Sequence, residues 1–362
     1  MAKISSHQNF DYILFWVCAI LVVLGIIALT SVSVDSSLEI FGIPYYFISH
    51  QLIYGLAPGI LLAFLLSRLK IEKLYKWAII FLLISILFLG LVFVPQLGIS
   101  VGGATRWLKF GPVSFQPSEL FKISFFIYLA ALLSKDTFSN RLFIFLLIIG
   151  AAGIFLVLQP NVGTLGIIFL VASVTYFLSN APVLHTLLIF LLGFSSVAVL
   201  TKIAPYRFNR FLVFLNPEVD PIGIGYQIKQ ALIAVGSGGI TGLGFGMSVQ
   251  KLGFLPEPMT DAIFAVFAEE TGFIGSLILI ILFSLFLWRG FYIARMVQDK
   301  FQKLLCLSIT FWIVLQAFIN IGAMIGILPL TGIPLPFMSY GGSAIIAELA
   351  GVGILLNISR NI

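Results

Sequence analysis

The residues of this chain best suited to chemistry are three carboxylates near the start of a long apolar segment. Asp261, Glu269 and Glu270 lie in the stretch LPEPMTDAIFAVFAEETG, in a chain whose charged residues make up only 9% of the total. A charged side chain at the centre of a membrane helix costs about 2.5–3.5 kcal/mol. We therefore expect at least one of the three to be functional. The alternative for Glu269 and Glu270 is a packing role, with a lysine or backbone groups as partners.

Asp261 follows Thr260 at the predicted start of a helix, where the helix dipole favours an anionic side chain. An ionised aspartate there can accept a proton from a hydroxyl, or it can bind a divalent cation such as Mg²⁺ or Mn²⁺. The residues leave both roles open, and no other cofactor is indicated. Glu269 would lie about 12 Å further along the helix at 1.5 Å per residue, too far to share a proton with Asp261.

Glu119 and Lys122 form a second constellation, three residues apart in QPSELFKI at the start of another apolar run. At this spacing the two side chains share a helix face and can pair, which lowers the cost of burying each charge. The pair either stabilises the helix or lines a polar cavity and orients a substrate there.

Four cations lie in polar segments between apolar runs, beside aromatic residues. They are Arg106 and Lys109 in TRWLKF, and Arg207 and Arg210 in YRFNRF. Cations beside interfacial aromatic rings suit an anionic lipid phosphate headgroup, although ordinary interfacial anchoring is the alternative. We expect these four residues to bind substrate.

The segment GILPLTGIPLPFMSYGGSA predicts a broken helix entry, because three prolines precede Ser339, Gly341 and Gly342. Irregular backbone at membrane depth is tolerated only beside a cavity or inside protein. We therefore predict that these three residues contribute to substrate binding through free backbone N–H groups.

A mean hydropathy of +1.14 and a hydrophobic content of 60% exclude a soluble protein of 362 residues. The long continuous apolar runs predict an all-α integral membrane protein, with residues 1–362 as one polytopic domain. Ten spans are expected, near 12–32, 45–67, 76–94, 117–134, 142–158, 161–179, 183–201, 262–287, 304–325 and 332–357. The net charge of +6 is attributed to loops facing anionic lipid, not to nucleic acid binding.

The basic residues of the short loops favour both termini in the cytoplasm. This orientation places the polar segments 95–116 and 202–261 on the outer face. The second segment is a long loop between the seventh and eighth predicted spans, 183–201 and 262–287. Its glycine-rich stretch should let the backbone approach another backbone or a ligand closely. We expect the 202–261 loop to cover a cavity.

Five ordered motifs resemble a known family: QPSELFK, QPNVGT, NPEVDPIGIGYQIKQALIAVGSGG, GFGMSVQKLGFLPEPMTDAIFAVFAEETGFIG and GIPLPFMSYGGSA. By these motifs the chain is identified as a member of the SEDS family, the shape, elongation, division and sporulation proteins. Members are peptidoglycan glycosyltransferases with ten spans that polymerise lipid II. GFGMSVQK and PFMSYGGS are more similar to division members than to elongation members.

The resemblance implies that Asp261 is the essential catalytic aspartate and that Glu119 and Lys122 are the family's paired residues. It also implies that the basic positions of the outer segments lie near the lipid-linked substrates. Departures occur at Met259, where the family usually has histidine, and at Ala262, where it usually has phenylalanine. The family's QPD motif is QPN here. These differences put the fine positioning of substrate in question.

The implied protein is a lipid II polymerase of the cytoplasmic (inner) membrane. It would act with a class B penicillin-binding protein, a transpeptidase, and with other membrane proteins of the division or elongation machinery. Its substrates would be lipid II and a glycan strand on polyprenyl diphosphate. Two alternatives stay open: a lipid II flippase without chemistry, and an inactive scaffold for the transpeptidase. The position of Asp261 at the outer mouth of a span, away from the membrane centre, favours the enzyme.

Overall fold

The computed structural model describes residues 10–101, 103–110, 113–135, 140–203, 205–360 and 362, and helices dominate this part of the chain. The helices described are α1 Tyr12–Phe41, α2 Tyr46–Arg68, α3 Ile71–Leu91, α4 Pro117–Ser134, α5 Arg141–Leu158, α6 Val162–Leu178, α7 Val183–Ile203, α8 Pro205–Leu215, α9 Ile224–Ser237, α10 Ile263–Met296, α11 Lys300–Met324 and α12 Gly342–Ser359. Helix α2 contains one π-helical turn at Leu52–Leu56.

Eight of the described helices are long and apolar enough to cross a membrane, and α6 and the apolar part of α7 add two shorter ones. Together they match the ten spans expected. The predicted break at Gln159-Pro160-Asn161 is confirmed, because α5 ends at Leu158 and α6 begins at Val162. The last helix begins at Gly342, ten residues later than the predicted start at 332. Residues 325–341 contain Pro329, Pro334 and Pro336 and form an irregular segment.

Successive apolar helices run in opposite directions, so their connections gather at two ends of the bundle. One end, called here the loop face, carries the 95–116 segment and residues 205–262. The other, the basal face, joins both ends of the described chain. There the Arg289 Nε donates to Asp11 Oδ2 over 3.1 Å, and the Asp11 N–H donates to the Ser359 hydroxyl over 3.0 Å.

Three helices form the centre of the bundle and the others surround them. In their most apolar stretches α4 is 83% buried and α11 and α12 are each 78% buried, whereas α5 is 28% buried. A helix that is apolar all round and buried suits the interior of a membrane bundle. Residues that α4, α11 and α12 direct toward one another are therefore shielded from both lipid and water.

The 95–116 segment, predicted only as polar loop, contains a small antiparallel sheet of order β1-β2-β3. Its strands are β1 Gly98–Val101, β2 Ala104–Phe110 and β3 Val113–Phe115, and a bulge shifts the register of β1 between Ile99 and Ser100. The sheet leads into α4, since only Gln116 separates the end of β3 from Pro117, the first residue of that helix.

The glycine-rich stretch after α9 runs against the start of α10 at backbone contact. A Cβ atom at Gly238 would lie 2.2 Å from the Ala268 carbonyl oxygen, and one at Gly242 would lie 2.1 Å from that of Glu270. The predicted close backbone approach is thus confirmed. It coincides with a break in α10 at Gly272, whose φ of 67° is in the left-handed region.

Candidate functional site

Asp261 lies at the loop face, in the turn that leads into α10, and its main chain is fixed from two sides. The Asn320 side chain on α11 donates to the carbonyl oxygens of Asp261, over 2.7 Å, and of Ile333, over 2.8 Å. The Ser339 hydroxyl donates to the Thr260 carbonyl and accepts from the Leu335 N–H. The turn is therefore held in place by α11 and by the irregular 325–341 segment.

The carboxylate of Asp261 has an oxygen that is buried yet unsatisfied. Asp261 Oδ1 has no hydrogen-bond partner among the described residues, and the same holds for Gln227 Nε2 on α9 and Arg210 Nε on α8. Gln227 and Arg210 both lie near enough to Asp261 to favour its charged form. Buried polar atoms without a protein partner are satisfied by water, an ion or a ligand, and here three of them meet at one carboxylate.

Burial is the main cause that raises the pKa of Asp261 to about 6, and the neighbouring Glu257 adds to the increase. A backbone hydrogen bond at Asp261 itself, the Gln227 amide and the Arg210 cation act in the opposite direction and lower it. Near neutral pH the carboxylate is mostly ionised and still basic enough to accept a proton. These are the properties that a general base needs.

The surroundings of Asp261 do not form a complete metal site by themselves. Across the described residues, no group of three or more His, Cys, Asp or Glu side chains is placed to hold a metal ion. A cation at Asp261 would need further oxygen ligands from outside the protein, and Arg210 nearby disfavours it electrostatically.

Glu119 and Lys122 form the ion pair predicted from their spacing, with 2.9 Å between Oε2 and Nζ, and both side chains are fully buried. The Lys122 ammonium also donates to Gln316 Oε1 over 3.0 Å. The Gln316 amide donates in turn to the Pro334 carbonyl over 3.0 Å. The pair thus supports the 325–341 segment from inside the bundle. Its predicted contact with substrate stays a prediction.

The three predicted residues around the start of α12 have structural partners. Ser339 bridges the 325–341 segment and the Asp261 turn, as described above. The Gly341 N–H donates to Gln51 Oε1 over 3.1 Å, so this amide is not free, contrary to the prediction. Gly342 is the first residue of α12 and packs against the backbone of Tyr54.

Of the three predicted headgroup cations whose side chains the structure describes, Arg210 lies near Asp261. Its Nη1 donates to the Leu330 carbonyl over 3.3 Å. Arg106 instead donates to the carbonyls of Gln159 and Pro160, in the turn between α5 and α6. Lys109 is exposed on β2, and the side chain of Arg207 lies outside the described residues.

The two glutamates on α10 are paired, as in the packing alternative. Lys251 Nζ lies 3.0 Å from Glu270 Oε1, which also accepts from the Ser31 hydroxyl. Glu269 accepts from the Ser248 hydroxyl and, over 3.2 Å, from the Val249 N–H. Lysine and backbone partners therefore account for both carboxylates.

Sequence reasoning missed two residues that matter at Asp261, Gln227 and Asn320. Each is an amide side chain inside an amphipathic or apolar helix, in GYQIKQ and FINIG. Polar side chains in such positions signal an internal hydrogen bond or a site. Their distance along the chain from Asp261 gave no indication that they meet it.

Fold and site together define a polytopic helical membrane protein with an aspartate-centred site at one end of the bundle. The sequence model of the FtsW, RodA and SpoVE family, described as "Cell cycle protein", matches residues 12–362. The chain therefore belongs to this family.

Relatives match over nearly the full length. The probable peptidoglycan glycosyltransferase FtsW of Haemophilus influenzae is 38% identical over 97% of this chain and 90% of its own length. The stage V sporulation protein E of Bacillus subtilis is 37% identical over 97% of both chains.

Two solved structures share the fold. One comes from work on the structural coordination of polymerization and crosslinking by a peptidoglycan synthase complex. It matches with a TM-score of 0.78 and 29% identity, covering 97% of this chain and 98% of its own. The rod shape determining protein RodA of Thermus thermophilus matches with a TM-score of 0.72 and 28% identity, covering 97% of each chain.

Proposed function

We propose that this chain is a peptidoglycan glycosyltransferase that polymerises lipid II into glycan strands, and that Asp261 is its catalytic residue. The relatives named above support the reaction class, since the FtsW proteins carry that activity in their names. The observation that carries the site assignment is the buried, unpartnered oxygen of Asp261 beside Gln227 and Arg210.

In this reaction Asp261 Oδ1 accepts the proton of the sugar 4-hydroxyl of lipid II. The hydroxyl oxygen attacks the anomeric carbon of the growing strand from the side opposite its diphosphate, so the configuration inverts. The bond between that carbon and the phosphate oxygen breaks, and its electron pair leaves with the polyprenyl diphosphate. Arg210 is placed to stabilise negative charge near the reacting atoms.

The alternative role of Asp261 as a cation ligand fits only with substrate bound. A divalent cation such as Mg²⁺ or Mn²⁺ would be held by Asp261 together with the diphosphate oxygens of the donor. Such a cation would neutralise charge on the leaving group. Within the described ranges, no group of three or more His, Cys, Asp or Glu side chains could hold such a cation without substrate.

We place the basal face in the cytoplasm and the loop face outside, in the inner membrane. Short basic loops stay in the cytoplasm. The described cations of the basal face are Arg68, Lys70, Lys73, Lys76, Lys135, Arg141, Arg289, Arg295, Lys300, Lys303 and Arg360. This orientation puts both termini inside and Asp261 at the outer leaflet, where lipid-linked substrates carry their sugars.

We also propose a crosslinking partner, a transpeptidase of the class B penicillin-binding type. The support is the similarity to a chain of a synthase complex in which polymerization and crosslinking are coordinated. Division or elongation proteins of the same membrane would be further partners.

The test is polymerisation of purified lipid II by the purified full chain and by its Asp261→Asn variant, each with and without the transpeptidase. Loss of a general base lowers the rate about 10²–10⁴-fold. Glu218→Gln is the matched control, because Glu218 is an exposed carboxylate of the same face paired with Lys229. Near-normal glycan formation by well-folded Asp261→Asn would contradict the assignment. Movement of lipid II across vesicles without any glycan product from the unmodified chain would favour a flippase.

A further inference from the structure

A polar cleft of about 630 Å³ opens at the basal face, at the opposite end of the bundle from Asp261. The α2–α3 turn, the start of α11 and the end of α12 enclose it. Its lining includes the cations Arg68, Lys70 and Arg360 and one carboxylate, Glu72. The proposed glycosyltransferase reaction uses none of these residues.

The positive charge of the cleft is not neutralised by the protein. Arg68 and Lys70 are exposed, and neither forms an ion pair with a carboxylate in the described part of the chain. Arg360 donates to the Ser67 carbonyl over 3.2 Å, which leaves further guanidinium N–H groups for a ligand. Three cations facing one carboxylate favour an anionic ligand.

Main-chain carbonyls that would repel an anion here are covered by side-chain donors. The last carbonyls of a helix have no partners within the helix and carry partial negative charge. At the end of α2, Asn357 Nδ2 donates to the carbonyls of Leu66 and Leu69, each over 2.6 Å, and Arg360 covers that of Ser67. These carbonyls at the floor of the cleft therefore repel a negatively charged ligand less.

The position of the cleft indicates the class of ligand. It lies where the spanning helices α2 and α12 end, at the level of lipid headgroups. The neighbouring apolar side chains Phe64 and Leu65 are 52% and 55% exposed, and the Arg68 guanidinium lies 4.5 Å from the centre of the Phe64 ring. Acyl chains would cover these apolar groups while a phosphate occupies the cleft.

We propose that this cleft is a binding site for the phosphate headgroup of an anionic phospholipid in the leaflet at the basal face. Basic pockets between membrane helices on the cytoplasmic side are known to bind anionic headgroups. A free phosphate ion offers the same charge but no acyl chains for Phe64 and Leu65, so a lipid is the better match. The proposal needs the chain to span a membrane and is independent of catalysis.

The test compares phosphatidylglycerol binding to the full chain in phosphatidylcholine nanodiscs, measured by native mass spectrometry and by thermal unfolding. The variant is Arg68→Gln with Lys70→Gln. The control is Lys76→Gln with Lys303→Gln, which removes equal charge from exposed positions at the same face but outside the cleft. Each cation lost from the cleft removes a charged hydrogen bond to the phosphate, worth about 1.5 kcal/mol, so the cleft variant should bind phosphatidylglycerol about 100-fold more weakly.

The control should retain the affinity of the unmodified chain to within a few-fold. Equal losses of phosphatidylglycerol affinity in both variants would show that the general surface potential attracts the lipid, and this would overturn the site. Unchanged affinity in the cleft variant would overturn it as well. Thermal unfolding in phosphatidylcholine alone checks that each variant folds. A parallel arm adds inorganic phosphate in place of phosphatidylglycerol. Equal stabilisation by phosphate would overturn the lipid as the ligand.

Discussion

Asp261 and Glu270 lie in one short stretch at the start of α10, yet their surroundings differ completely. Glu270 is deeply buried and has an ammonium and a hydroxyl as partners, from Lys251 and Ser31. Asp261 lies at the loop face with one buried oxygen that has no partner among the described residues. The main chain around Asp261 is held from two sides, so the missing partner does not reflect a loose loop.

This difference separates a structural carboxylate from a candidate catalytic one. Leaving a buried polar group unsatisfied costs about 1–3 kcal/mol, so a water, an ion or a ligand is expected to supply the missing partner. The sequence alone favours Asp261, at a predicted helix start, and leaves Glu269 and Glu270 open between a functional role and a packing role. The partners in the folded chain leave Asp261 as the candidate.

The largest expected effect on stability concerns Glu270, the structural carboxylate of the two. Lys251→Met should lower the free energy of unfolding by about 3–5 kcal/mol, because it leaves Glu270 as an uncompensated buried charge. Thermal or denaturant unfolding in detergent measures this. Lys229→Met is the matched control: its ion pair with Glu218 is exposed, and such pairs contribute about 0–1 kcal/mol. Equal losses of unfolding free energy in the two variants would show that the buried ion pair contributes no more to stability than the exposed one.

A change of opposite sign is expected at Asp261. Its pKa is raised from 3.8 to about 6 in the folded chain, so the folded state binds the proton more tightly than the unfolded state. The contribution of this tighter proton binding to the free energy of unfolding is fully present below about pH 4 and is lost as the pH rises through 6. At pH 8, Asp261→Asn should therefore raise the free energy of unfolding by up to about 3 kcal/mol. A variant less stable than the parent at pH 8 would show that the carboxylate has a structural partner.

The smallest effect concerns the pH dependence of turnover. If Asp261 is the base, kcat/KM for lipid II should fall about tenfold per pH unit below 6 and level off above it, because only the ionised form accepts the proton. The residual rate of Asp261→Asn should lack this inflection. Activity that varies instead with the concentration of Mg²⁺ or Mn²⁺, with no inflection near pH 6, would favour the cation-ligand role.

Apolar runs predicted most of the fold, because a membrane helix must satisfy its backbone internally and be long enough to cross. The sheet and the observed start of α12 were missed for physical reasons. The strands β1, β2 and β3 are short and are stabilised by hydrogen bonds to one another. Pairing between separate segments cannot be read from the local sequence pattern. The broken entry to α12 is as predicted from its three prolines, but the predicted start at 332 precedes the observed start at Gly342. Ile333 and Leu335 continue the apolar run, whereas Pro329, Pro334 and Pro336 keep the segment irregular.

Of the residues that meet at the candidate site, the sequence identified Asp261 but not the amide side chains around it. Asp261 was recognisable by its residue type and by its place before a span. Gln227 and Asn320 reach it from α9 and α11, and contacts between distant helices leave no mark in local spacing. Headgroup binding by the four cations stays a prediction, and for Arg106 the structure shows another role, since it donates to the carbonyls of Gln159 and Pro160.

The glycine contacts between residues 238–244 and α10 bear on how a bulky glycan reaches Asp261. Main-chain bonds join Leu243 to Glu269 and Phe273 to Gly239, and no side chain separates the two backbones. This stretch and the first turns of α10 are therefore joined through the main chain, and neither can be displaced from the other without breaking these bonds.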